Sequence, residues 1–350
     1  MTRLVSGPLF PCLAALALTA CGPAPSAGSD AGPVVDDAGP MAPDDAPVPV
    51  ETDAGHVLGE RLPLEARFPE GGAFDPVEGA FYVGSLADGS VHRVDRATGQ
   101  ETVVFTETAP GRWWTLGMHV DATRRRLFVC AMDDQRETTT EDPPYLGYVW
   151  EIDLTTGERV ATHDLSDAHP RATCTDVTST SDGALYVADR EHPNVYRIVD
   201  GEVELYVTDP LLGSSAIGLN AITPTPDGSA LLAIVYLPSL LARIDLTTRE
   251  VTQVAVTGGF RDALPALSGA DGMAFDADGR LRVAFSSQLT TLEGVTAEWR
   301  SARAASVDVP AGMTDVVIAD DAIYLLNGQA VRFALGDAPD PFVLARLLAP

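Results

Sequence analysis

The chain predicts an all-β fold, a six-bladed β-propeller with four-stranded antiparallel blades around a central channel. Three observations predict it. From Arg61 onward, apolar and polar residues alternate with the period of strands, and long helical patterns are absent. A strand followed by an Asp-x-x-Thr-Gly turn recurs as Val91–Gln100 (VHRVDRATGQ), Val149–Glu158 (VWEIDLTTGE) and Leu241–Glu250 (LARIDLTTRE), with worn copies at Val195–Glu202 and Ala330–Asp337. A second phrase, two strands joined by a tight Asp-Gly turn, appears at Thr178–Asp189, Thr223–Ile234 and Ala274–Phe285. Aligned, these phrases give six units that begin near Glu70, Leu116, Thr175, Asn220, Asp271 and Met313, in steps of 46, 59, 45, 51 and 42 residues. A β-sandwich, the rival architecture, does not repeat one two-hairpin phrase six times.

The elements follow in chain order. Residues 1–20 have the layout of a secretory signal: Arg3, then the apolar run Leu9–Ala20, too short to span a bilayer. The run ends in Leu18-Thr19-Ala20-Cys21, which resembles a bacterial lipobox and implies lipidation at Cys21; an ordinary signal with an incidental cysteine is the alternative. Residues 21–60 read as a tether. From 22 to 60 there are seven Pro, six Gly, eight acids and no Arg, and Asp-Ala-Gly recurs at Asp30, Asp37 and Asp53. The expected location is therefore outside the cytoplasm, lipid-anchored to the bacterial envelope, at the outer membrane by the identity of Gly22. Residues 61–350 form the propeller, and Val57–Ala66 is a candidate closing strand for the last blade. The long second step is explained by a polar insertion, Asp133–Gly147, read as a surface loop. Cys130 and Cys174 are an even pair in an oxidising compartment, either bridged or two buried thiols.

Composition narrows the function. The chain has 350 residues, 45% hydrophobic and 21% charged, enough to bury a large core. Its net charge is −27, which argues against nucleic acid as a partner. All 23 bases are arginine, so a Walker A loop, a Schiff-base mechanism and a Ser–Lys dyad are excluded. There is no Gly-x-Ser-x-Gly elbow, and the six histidines show no zinc-binding spacing. The chain is read as a monomer acting on a small molecule.

Repetition then locates chemistry. In a propeller the innermost strands share one axis, so residues at one register become neighbours. The ring at the channel mouth reads Glu70, Leu116, Thr175, Asn220, Asp271, Met313. Buried carboxylates without partners are costly, and a bound cation relieves them. Oxygen ligands of these kinds suit a hard divalent ion, Ca²⁺ first, with Mg²⁺, Mn²⁺ or Zn²⁺ as alternatives. The same residues also read as polar caps on exposed strand ends, and spacing does not separate the two. Trp113 and Trp114, just before blade two, are candidate mouth residues or packing residues.

The openings Phe68–Pro76 (FPEGGAFDP), Gly218–Gly228 (GLNAITPTPDG) and Gly269–Gly279 (GADGMAFDADG) resemble those of the gluconolactonase / senescence-marker-protein (regucalcin) / luciferin-regenerating-enzyme family. The resemblance implies a six-bladed propeller with one divalent cation held by Glu70, Asn220 and Asp271, and Asp271 as general base. It further implies that Thr175, standing where the family has Asn, and Arg171, four residues ahead, bind substrate. The activity it implies is hydrolysis of lactones or esters, with the cation acting as a Lewis acid. A non-catalytic, metal-stabilised propeller serving as a binding or scaffold lipoprotein is the alternative. A strictosidine-synthase-like propeller shares the architecture without support from a specific residue.

Overall fold

In a computed structural model of the chain, the structure describes residues 50–51, 57–215, 217–258 and 269–348. The proposed signal, Cys21 and most of the tether lie outside the described residues. The described chain forms six sheets of four or five strands, antiparallel except for one outer strand of blade five, arranged as the blades of a propeller. The inner strands are Gly72–Asp75, Trp113–Asp121, Asp176–Ser179, Leu219–Pro224, Ala270–Phe275 and Met313–Ala319. Each starts at the face we call upper and runs to a hairpin at the lower face. Inner strands contact their neighbours around the ring, and the last, Met313–Ala319, contacts the first, Gly72–Asp75.

The two repeated phrases have distinct jobs. The Asp-x-x-Thr-Gly turn joins the third and fourth strands of a blade. Asp95 Oδ1 accepts the backbone N–H groups of Ala97 and Thr98, and Asp153 Oδ1 accepts those of Thr155 and Thr156. Asp245 repeats the pattern with Thr247 and Thr248, although Arg249, at φ 61°, stands where the other copies have Gly. The Asp-Gly phrase joins the first and second strands; Thr180 donates to Asp182, and Thr225 to Asp227, inside the hairpin. One worn copy is corrected: Ala330–Leu335 is a short α-helix capped by Gly336 at φ 71°, and it sits on the upper face of blade six.

Closure uses the chain's beginning. Strand Val57–Pro63 pairs antiparallel with Val343–Leu347, so blade six takes its outer strand from the N-terminal side. Blade five gains an outer parallel strand, Ala255–Thr257, against Ser301–Asp308. The core lies between adjacent sheets. Phe81 of blade one packs against Tyr324 of blade six, ring centres 4.7 Å apart and planes tilted by 60°, and Leu116, Val149, Val177 and Tyr196 bury the seams of blades two and three. Cys130 and Cys174 form a disulfide, 44 residues apart in sequence, that ties the second strand of blade two to the segment just before Thr175.

Candidate functional site: the upper end of the channel

The inner strands are irregular where the ring residues stand. Strand register shifts between Leu219 and Ala221, between Ala270 and Met273, between Thr115 and Met118, and between Met313 and Asp315. A β-bulge adds a residue to one strand and re-aims its side chain. Asn220 and Asp271 sit in these bulges. Both line a channel cavity of about 640 Å³, together with Glu70 and Thr175. In blade six the bulge moves the register by one: Thr314, not Met313, faces the channel.

The structure brings Glu70, Thr175, Asn220 and Asp271 into one cavity. Asn220 donates its amide N–H to Asp271 Oδ1. Glu70 Oε2 and Thr175 Oγ1 are buried without a hydrogen-bond partner. Burial raises Glu70 to about 7, against a smaller lowering by the Arg190 guanidinium. Burial also drives Asp271 well above the usual carboxylate range; the charges of Glu70 and Asp315 push the same way, and the Asn220 bond and Arg190 oppose them. Both carboxylates are half-buried and face the channel, and Asp271 also borders a second, smaller cavity.

Residues that spacing did not single out complete the site. Asp176 and Asp315 stand one step deeper in the channel. Asp176 accepts N–H groups from Ile222 and Val177, both at 2.9 Å; Asp315 accepts them from Gly72 at 2.9 Å and Val316 at 2.8 Å. Burial nevertheless raises Asp176 to about 7 and Asp315 well above its ordinary value. A glycine of the preceding blade makes room for each. A Cβ on Gly117 would lie 2.2 Å from Asp176 Oδ1, and one on Gly272 would lie 1.8 Å from Asp315 Oδ1. A signal for this arrangement exists in the sequence: Thr-Asp-Val occurs at Thr175–Val177 and at Thr314–Val316, and Gly-Met at Gly117–Met118 and at Gly272–Met273. Blades one to three and four to six are thus related by a pseudo-two-fold. Arg190 and Tyr236, on loops between second and third strands, carried no such signal.

Arg171 and the tryptophans are not brought into this group. The Arg171 guanidinium donates to Pro143 O at 2.7 Å and to Gln135 Oε1 at 3.1 Å, which fastens the 133–147 insertion. Trp114 is 3% exposed and packs against Tyr145 and Phe333. Trp113 donates Nε1–H to Ala109 O and packs on Trp150.

Two carboxylates, of which Glu70 has an orphaned oxygen, and an amide that presents its oxygen after rotation about its last torsion fit a hard divalent cation. Among the described residues no group of three or more His, Cys, Asp or Glu side chains is placed to hold a metal ion, so a cation here would need the Asn220 amide oxygen beside Glu70 and Asp271. The chemistry open to such a site is polarisation of a carbonyl beside a carboxylate base.

Comparison with known proteins agrees with the architecture. A family model described as SMP-30/Gluconolactonase/LRE-like region matches residues 68–317. No curated protein sequence matches the chain. Among solved structures, the allergen Mala s 1 of Malassezia sympodialis is similar at 17% identity and a TM-score of 0.68, over 82% of this chain and 96% of that one. A gluconolactonase of Xanthomonas campestris is similar at 17% identity and a TM-score of 0.57, over 90% of this chain and 99% of that one. A calcium-binding regucalcin of Agrobacterium tumefaciens is similar at 17% identity and a TM-score of 0.55, over 83% and 94%.

Proposed function

Because the chain belongs to the SMP-30/gluconolactonase/LRE-like family, we propose that it is a divalent-cation-dependent hydrolase of lactones or esters. The observation that carries the reading is the meeting of Glu70, Asn220 and Asp271 at one end of the channel, with a Glu70 oxygen left unpaired. Glu70, Asn220 and Asp271 would hold the cation, and Ca²⁺ suits their oxygens best; a calcium-binding regucalcin is among the structural neighbours. When bound, the cation supplies Lewis-acid polarisation of the substrate carbonyl.

The chain's own residues do the rest. Asp271 takes a proton from water as the water oxygen bonds to the carbonyl carbon. The acyl C–O bond breaks, and the proton passes to the departing alkoxide oxygen. The products are one carboxylic acid and one hydroxyl. Arg190 holds positive charge beside Glu70 and Asp271, and so favours their ionised forms. Thr175 Oγ1, buried and unpartnered, is free to orient a substrate oxygen. The N-terminal segment supports a further part of the reading: an envelope lipoprotein anchored through Cys21, with residues 21–60 as its tether.

The test is turnover on a panel of lactones and aryl esters with and without added Ca²⁺, beside Asp271→Asn. Wild type is expected to need the ion. The variant should lose about 10²–10⁴-fold in kcat while keeping its circular dichroism spectrum. Chelation that lowers the melting temperature, with no turnover on any substrate, would instead assign the cation a purely structural role in a binding protein.

A further inference from the structure

Asp271 borders two cavities. Below it is the channel; above it is a separate recess of about 220 Å³ on the side of blades four to six. Tyr236, Ser286, Gly312, Gln329 and Arg332 frame the recess. We propose that this recess is the port by which an organic substrate reaches Asp271 and its product leaves. The identity of the cargo rests on the hydrolase reading; the route does not.

Three sets of observations support the port. The upper face over blades one to three is filled by aromatic rings: Phe333 lies 5.1 Å from Phe68 and 5.9 Å from Trp114, and Trp114 lies 5.6 Å from Tyr145. Arg136 covers Trp114 from 5.5 Å.

The recess, in contrast, is walled by held polar groups. The Gln329 amide is fixed on both sides by the backbone of Asp340, donating at 3.0 Å and accepting at 2.9 Å. Arg332 donates to Ala338 O at 2.8 Å and pairs with Asp340 at 2.8 Å on the rim. The Tyr236 ring lies where a Cβ on Gly269 would be, 2.4 Å from its Cδ1, so the glycine opening blade five is what seats it. Groups already fixed lose little freedom when a ligand arrives.

The third observation is electrostatic. The channel below carries Glu70, Asp176 and Asp315 besides Asp271. Such a corridor disfavours an anionic organic molecule, whereas the rim of the recess carries a charge-balanced pair, Arg332 with Asp340. The volume suits a five- or six-membered ring and is below the roughly 300 Å³ at which drug-sized pockets begin, so long acyl chains and fused rings are excluded.

The experiment couples glycine ethyl ester to Asp271 with a water-soluble carbodiimide, on the full chain in chelator, and reads the modified peptide by mass. Ser286→Trp fills the recess; Ala311→Trp narrows it from an exposed rim position and serves should the first variant not fold. Ala277→Trp obstructs the lower mouth of the channel. The recess variants are expected to slow labelling about tenfold or more, and to lower kcat/KM on any lactone turned over by about a hundredfold. Ala277→Trp should leave labelling within about twofold. Unchanged labelling in the folded recess variants, loss of labelling in Ala277→Trp, or no labelling of wild type would each overturn the port. Should wild type hydrolyse no lactone while the labelling pattern holds, the hydrolase reading fails and the port stands.

Discussion

Glu70 and Asp176 show what single side chains cost in this molecule. Burial lifts them from ordinary values of 4.5 and 3.8 to about 7. A carboxyl whose folded pKa exceeds its unfolded one binds more protons when folded. Its contribution to stability is therefore complete below the unfolded value and is lost as pH rises through the folded one. In chelator, the melting temperature is expected to fall as pH is raised from about 4.5 towards 7 and beyond, the reverse of ordinary acid denaturation for these two groups. Glu70→Gln should flatten part of that slope, and saturating Ca²⁺ should offset it, because the ion favours the ionised forms. Thermal melts across pH with and without Ca²⁺ check all three. A melting temperature that rises steadily over the same window, in chelator, would show that these carboxyls are not held protonated.

At the scale of elements, the bulged inner strands make the site, and in two of them a glycine leaves room for the next blade's aspartate. Gly272→Ala would bring a Cβ to 1.8 Å from Asp315 Oδ1, a group already held by two N–H donors and unable to swing away freely. The expected loss is about 2–3 kcal/mol, measured by urea denaturation. Ala274→Gly, one turn of the pleat away in the same strand, should cost only about 1 kcal/mol. The strands also explain what was legible beforehand. Asn220 and Asp271 were readable because counting back from each Asp-Gly turn lands on a polar residue at a fixed register. The same count named Met313, because it cannot see that a bulge has absorbed one residue before Asp315. Spacing does not single out Asp176 and Asp315, because an acid inside an alternating strand reads as solvent-facing, and in a propeller the innermost face is a channel. Ala330–Asp337 matched a strand-and-turn phrase by composition, yet Gln329, at φ 57°, redirects the chain into a helix. Arg190 and Tyr236 sit on loops whose spatial placement depends on the closed ring, which no local pattern encodes.

For the whole molecule, the ring is one structure only when its ends meet. Leu58 and Leu62, 2% and 5% exposed, are buried by the last strand, and Leu64 N–H donates to Phe342 O at 3.0 Å. Gly72 N–H on Asp315 ties the first inner strand to the last. Starting the chain at Leu64 removes blade six's outer strand and leaves Val343–Leu347 as an open edge. That truncation is expected to yield aggregated or unfolded protein by size-exclusion chromatography, while starting at residue 50 keeps a soluble monomer. The closure has a temporal side. Val57–Pro63 is made about 280 residues before its partner Val343–Leu347. At ribosomal speeds the interval is on the order of tens of seconds, during which a strand carrying two leucines has no mate. Chains in which Val343–Leu347 has not yet joined the sheet should therefore depend on a holding chaperone.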